Sequence, residues 1–261
     1  MPHFDYQQLQ IHFQCYGSGT PLLLIHGLGS RGDDWHLQVP ALSRHYRVIA
    51  VDLRGHGASE AGPPPLTIPA MAADMVALLD HLQLPSAHVV GFSLGGMVAQ
   101  QMALIAPSRL LSMCLINSGP FALPGRLRRY GELTLRTAVV RLLGMERLAA
   151  VLAARLFPHP EQAGLARRFR RQMGEMPRAA YLAALQALRR WDISARLPDI
   201  SAPTLIIASD RDYTPVSVKR TYAARMPQAE LAVVTNSGHA APMDQPDAVN
   251  RLLLEFIDRQ Q

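Results

Sequence analysis

The chain has 261 residues, 49% of them hydrophobic and 18% charged, which is enough apolar side chain for a sizeable core and excludes a disordered or acidic-tail protein. Its formal charge of +6 is local: fourteen arginines against four glutamates between residues 121 and 190 put an excess of ten positive charges there and leave −4 elsewhere. These basic residues are not interleaved with stacking aromatics, which argues against nucleic-acid binding, and no basic leader or apolar run of ~18 residues is present, so the chain reads as cytoplasmic with no membrane span.

From Phe4 to Tyr16 the residues Leu9, Ile11, Phe13 and Cys15 alternate with polar ones, the period-two pattern of a half-buried strand in an N-terminal antiparallel hairpin. Four unbroken apolar runs follow at Pro21–His26, Val48–Val51, His88–Phe92 and Leu110–Ile116. Runs without alternation are expected of strands buried on both faces of a parallel sheet. Helical spacing separates them: Met71, Met75, Leu78, Leu79 and Leu82 within Ile68–Leu84, and the Ala and Met residues of Met97–Ala106. Strand and helix in alternation give βαβ crossovers.

After Ser118 the alternation stops for about seventy residues, in which Leu, Ala and Arg recur at helical periods with breaks at Pro124, Pro158, Pro160 and Pro177. This predicts an all-helical cap at 119–191, inserted after the sixth strand into a core made of 1–118 and 192–261. Strand signals resume at Thr204–Ala208 and Leu231–Val234, and Asp247–Ile257 forms a closing amphipathic helix. The two cysteines, Cys15 and Cys114, lie far apart in apolar runs and read as small buried residues, with no disulfide framework and no metal site.

The run His88–Phe92 leads into Gly91-Phe92-Ser93-Leu94-Gly95-Gly96 and then a helix, the setting in which G-x-S-x-G marks a nucleophile elbow. Ser93 is the candidate nucleophile. An acyl-transfer site also needs donors for the developing oxyanion. His26-Gly27-Leu28-Gly29 ends a neighbouring strand, making the backbone N–H groups of Leu28 and Leu94 the candidate pair. The base is assigned to His239, in Ser237-Gly238-His239 after the last strand; the remaining histidines fall in strand starts, helices or the insertion. For the acid, Ser209-Asp210-Arg211-Asp212 offers two carboxylates. Asp212, deeper in the loop and just ahead of Thr214-Pro215, is favoured, with Asp210 as a brace. Asn117, after the sixth strand, is a neutral amide and cannot stabilise an imidazolium as a carboxylate does.

With these motifs in chain order, and with Asp52-Leu53-Arg54-Gly55-His56-Gly57-Ala58-Ser59 matching a loop typical of the group, the sequence resembles the α/β-hydrolase superfamily. The resemblance is to the small prokaryotic members with a helical cap, among them carboxylesterases, enol-lactonases, carbon–carbon bond hydrolases and cofactor-free haloperoxidases. It implies a mostly parallel sheet flanked by helices, a Ser93–His239–Asp212 triad and no cofactor. It also implies a bracing role for Asp52, Arg54 and His56, and an acid three residues beyond a small strand-ending residue, here Ser209.

The expected activity is cleavage of a small-molecule carboxylic ester through an acyl-enzyme. Lactone opening and carbon–carbon cleavage of an anionic diketone-like acid use the same triad, and an arginine of the insertion facing Ser93 would favour them. Most insertion arginines, as in Arg128-Arg129, Arg167-Arg168, Arg170-Arg171 and Arg189-Arg190, read instead as solvated helix faces. Trp35 and Phe92 are the expected substrate contacts, with the cap residues Leu142, Leu143, Met145, Leu148, Leu152, Leu156 and Phe157 packing on the core or walling the acyl pocket. A ligand receptor that keeps the fold without useful turnover is the competing class.

Overall fold

The structure, a computed structural model, describes residues 2–7, 9–120 and 126–260, with side chains in the last segment from Tyr130 onward. The break expected at Pro124 and the side chains of Arg128 and Arg129 lie outside the described residues. The strands are β1 (His3–Tyr6), β2 (Leu9–Tyr16), β3 (Pro21–Ile25), β4 (Arg47–Val51), β5 (Ala87–Phe92), β6 (Leu110–Ile116), β7 (Thr204–Ser209) and β8 (Ala229–Val234). They form one sheet in the order β1-β2-β4-β3-β5-β6-β7-β8. The β1–β2 and β2–β4 pairings are antiparallel and all others parallel.

The parity of the apolar runs explains why these strands are buried on both sides. Leu23, Ile25, Ile49, Val51, Val89 and Leu115 point into one core cluster. Their chain neighbours Leu22, Leu24, Val48, Ala50, Val90 and Ile116 point into the other. Successive side chains of a strand alternate faces, so only a run with no polar interruption can feed two cores.

Helices close both faces: α1 (Val39–Leu42), α2 (Ile68–His81) and α3 (Leu94–Ile105) before β6. Thr67 caps α2 by accepting the Ala70 N–H at 3.1 Å, with Pro69 in the first turn. The insertion between β6 and β7 holds α4 (Arg126–Leu156), interrupted at Gly144 with φ +80°, then α5 (Ala163–Glu175) and α6 (Arg178–Arg190). The fold ends with α7 (Val216–Ala223), α8 (Ala241–Asp244) and α9 (Pro246–Asp258), whose Val249, Leu253 and Phe256 join the second core. Among the described residues no helix is long and apolar enough to cross a membrane.

The chain leaves β3 toward β4 on one side and returns as β5 on the other. Ligands of open α/β sheets bind at the carboxyl edge beside such a reversal. Leu28 follows β3 there and Ser93 follows β5.

Two expectations about burial need correction. Cys15 is exposed, because it lies near the end of β2, where the strand leaves the covered part of the sheet. Leu142 and Leu143, expected to pack inward, are 81% and 61% exposed. They sit just ahead of the Gly144 interruption, on the side of α4 that faces away from the core.

Candidate active site

Ser93 joins β5 to α3 with φ 51° and ψ −111°, a conformation costly for a residue with a Cβ and held only by its surroundings. Its N–H donates to the Ile116 carbonyl at 2.9 Å, and its own carbonyl accepts from Ser118 Oγ at 2.6 Å. The flanking glycines allow the tight crossing. A Cβ on Gly95 would collide with the Ile25 carbonyl oxygen, and one on Gly91 with the backbone of Gly95. Local sequence thus forces a sharp turn that lifts the serine hydroxyl off the end of the sheet.

Two loops from the far side of the sheet meet that hydroxyl. His239 Nε2 lies 3.0 Å from Ser93 Oγ, and its Nδ1 lies 2.8 Å from Asp212 Oδ1. An imidazole that accepts the serine proton at Nε2 carries its own proton at Nδ1, and that N–H donates a hydrogen bond to the carboxylate. Asp212 is buried, which penalises its charge, but His239 and then Lys219 outweigh the penalty and hold its pKa below the ordinary carboxylate value. Asp210 accepts the N–H groups of Asn236 and Ser237, each at 3.0 Å, and so ties the acid loop to the histidine loop. Asp244 fastens the same loop from α8 by accepting from Gly238 N at 2.7 Å and Ser237 Oγ at 2.8 Å. The imidazole itself lies against the ring of Tyr213, 4.1 Å between centroids, and near Phe92 at 5.3 Å.

A cleft opens over Ser93 and His239, walled by Leu28 and Phe92 from the sheet side and by Leu152, Leu156 and Phe169 from the insertion. Arg136 and Arg155 also line it. Both pair with Glu132, at 2.6 and 3.1 Å, and Arg155 lies over the Tyr213 ring at 4.8 Å. Burial penalises the Glu132 carboxylate, but the two guanidinium groups outweigh it and keep it ionised. The trio carries one net positive charge beside a mostly apolar cavity.

A serine, an imidazole and a carboxylate in hydrogen-bonded series, at the mouth of an apolar cleft, can deliver an alkoxide-like nucleophile to a bound carbonyl. The family comparison agrees in kind, since a model of the alpha/beta hydrolase fold matches residues 20–246. The chain belongs to this family. It is 32% identical over 264 residues to RutD of Azorhizobium caulinodans, a protein named for carbamate hydrolysis, with 98% of each chain covered. A hydrolase from Pseudomonas aeruginosa superposes with a TM-score of 0.88 at 30% identity, covering 98% of this chain and 97% of that one. A thermophilic esterase from Thermogutta terrifontis gives 0.88 at 28% identity, covering 97% and 94%.

Within this α/β hydrolase the site residues read from sequence divide clearly. Ser93, Asp212, His239, Leu28 and Phe92 meet at one place. Leu94 opens α3, so its N–H has no carbonyl one turn back to occupy it. Trp35 is the correction: it is 2% exposed and packs in the second core with Leu22, Leu24 and Leu42, and it does not line the cleft. Its position shortly after the His26-Gly27 turn suggested the site edge, but Trp35 ends the short helical turn Gly32–Trp35 with its ring buried in that core.

The Asp52–Ser59 loop braces the core: Asp52 accepts the N–H groups of Gly32 and Ala58 at 2.6 and 2.8 Å, and Arg54 forms a bidentate pair with Asp74. His26 accepts the Leu53 N–H at 3.0 Å. Arg167, Arg170, Arg171, Arg189 and Arg190 are exposed, as solvated helix faces require. Sequence reasoning missed Lys219 and Asn117, which meet behind Asp212. The signal available was compositional: Lys219 is the only lysine in the chain.

Proposed function

We propose that this chain is a serine hydrolase that cleaves carboxylic esters through an acyl-enzyme. The reading is carried by the series Ser93 Oγ, His239 Nε2, His239 Nδ1 and Asp212 Oδ1, at 3.0 and 2.8 Å. Ser93 Oγ bonds to the ester carbonyl carbon as its proton passes to His239 Nε2, and Asp212 stabilises the imidazolium. The N–H groups of Leu28 and Leu94 receive the oxyanion. When the tetrahedral intermediate collapses, the carbon–oxygen bond to the leaving alcohol breaks and His239 returns the proton to it. Water then repeats the sequence on the acyl-enzyme and releases the acid. In this reading residues 119–191 act as a cap on the core of 1–118 and 192–261 and supply the acyl wall of the pocket.

A second reading is favoured by Arg136 and Arg155 in the cleft wall: the substrate carries an acid group, as in lactone opening or carbon–carbon cleavage of a diketone-like acid. The same serine chemistry serves both, and the products separate them.

The test is steady-state turnover on a panel of esters, thioesters, lactones and carbamate esters of graded acyl length, with Ser93→Ala as control. Hydrolysis of one ester class that falls at least about 10⁴-fold in Ser93→Ala is the expected result. No turnover above that variant across the panel, with fluorophosphonate still labelling Ser93, would overturn the enzyme reading in favour of a ligand receptor.

A further inference from the structure

The chain contains twenty-five arginines and one lysine, and that lysine is not on the surface. Lys219, on α7, is 1% exposed. Its Nζ lies 2.6 Å from Asp212 Oδ2, the oxygen opposite the one that meets His239, and 2.5 Å from Asn117 Oδ1. Burial pulls the Lys219 ammonium below its ordinary pKa, against the attraction of Asp212. Removing a cation from water this fully is costly unless its partners are fixed and charged. A compact tetrahedral ammonium fits between two oxygens at these distances, where the planar, wider guanidinium used elsewhere in the chain is a looser match.

Asn117 extends the contact to the base. Its Nδ2 donates to the His239 carbonyl at 2.9 Å and to Ser209 Oγ at 2.7 Å, and its Oδ1 also accepts the Ser209 N–H at 2.9 Å. Asn117 holds φ +45° to do this. Lys219 therefore touches the acid directly and the backbone of the base through one amide.

We infer that Lys219 is a positioning residue that holds Asp212 toward His239 and shares the carboxylate's charge, so that less of it acts on the imidazole. The inference rests on the proposed roles of Ser93, His239 and Asp212. An imidazolium beside an isolated carboxylate is stabilised by the full negative charge. Beside a carboxylate already paired with an ammonium it is stabilised less, so removing the ammonium strengthens the hold of the imidazole on its proton. The other groups facing His239 are Asp244 below its loop, Tyr213 and Phe92 on its flanks, and the Arg155–Glu132–Arg136 cluster beyond Tyr213. None of them is hydrogen-bonded or ion-paired to Lys219, whose ammonium meets Asp212 and Asn117.

The experiment compares intact wild type with Lys219→Met, Lys219→Gln and Lys219→Arg. One readout is the pH profile of kcat/KM on the best ester. The other is the pH profile of the second-order rate of Ser93 labelling by a fluorophosphonate, which needs the serine and its base but no turnover. Both are normalised to the labelled fraction at the plateau, so loss of folded enzyme does not alter the profile.

In Lys219→Met and Lys219→Gln the acid limb is expected to move up by about one pH unit or more, the effect of one unit charge roughly 6 Å away in a partly buried site. In Lys219→Arg, which keeps the charge, the limb stays within about 0.3 unit while the plateau rate falls. A lysine that only stabilises the fold lowers the plateau or the melting temperature and leaves the limb of every variant where wild type has it, and that outcome overturns the inference. If one neutral variant does not fold, the other supplies the charge-removal arm, and a limb that moves in Lys219→Arg despite retained charge also overturns it. Labelling of wild type that is insensitive to His239→Ala would instead remove the reading on which the inference rests.

Discussion

Replacing Arg155 with methionine distinguishes a cleft that reads substrate charge from one that is merely apolar. Arg155, Arg136 and Glu132 sum to +1, and the Arg155 side chain is 43% exposed, so its field is partly screened by water. A substrate carboxylate about 5 Å from the guanidinium, at an effective dielectric of roughly 40, gains about 1.7 kcal/mol, or roughly fifteenfold. Two substrates of matched length measure this: p-nitrophenyl butyrate, which is neutral, and the mono-p-nitrophenyl ester of succinic acid, which carries a terminal carboxylate.

In Arg155→Met the anionic-to-neutral ratio of kcat/KM is expected to fall about tenfold. In Glu132→Gln, which takes the trio to +2, it is expected to rise several-fold, and raising salt shrinks the wild-type ratio. Arg155 also lies over Tyr213, which stacks on His239, so the neutral ester serves as the internal control for damage to the base. A ratio that is the same in all three enzymes, with the neutral rate intact, would refute the charge reading while leaving ester hydrolysis untouched.

Gly95→Ala drives a methyl into the Ile25 carbonyl and is expected to cost at least about 2 kcal/mol of stability, measured by urea unfolding, or to abolish Ser93 labelling by displacing the elbow. Asp74→Asn leaves the buried Arg54 guanidinium without its counter-charge and is expected to cost about 3–5 kcal/mol, whereas Arg54→Met with Asp74→Leu costs less because both charges go together. Stability itself falls with acid. Burial holds His56 at about 3 and His88 at about 4, so below the unfolded value near 6.5 the unfolded chain takes up protons that the folded one refuses. Stability is full above that pH and drops by about 2–3 kcal/mol per unit as pH falls toward 4. Unfolding midpoints at pH 7, 6 and 5 check it, and a flat series would mean that these rings are protonated in the folded state.

The difference between Ser93 and Trp35 shows which parts of the site a sequence exposes. Ser93 is legible because its surroundings are local: a buried strand, glycines two residues either side and a helix are contiguous in the chain, and each is required by the strained turn between them. Asp212 and His239 are legible because each follows a recognisable strand end, so sheet topology alone delivers them to the same edge. Trp35 fails because the direction of its ring depends on a single short turn, which here sends it into the second core and not into the cleft. The arginines of the helical insertion fail for a related reason. Arg136 and Arg155 carry no marker that separates them from Arg167 or Arg190, since the face of a helix that looks inward is set by packing between helices distant in sequence.

Lys219 lies between these cases. Its spacing from Asp212 within a loop and a helix start says nothing of contact, because the direction of α7 is fixed by packing on β7 and β8. Yet its uniqueness in a chain that otherwise uses arginine for its fixed positive charges is visible without a structure. A residue type that a sequence otherwise avoids is retained where its shape matters, and here the shape is an ammonium small enough to sit between Asp212 and Asn117. The rarest charged residue in the composition thus points behind the acid, to a place that no motif marks.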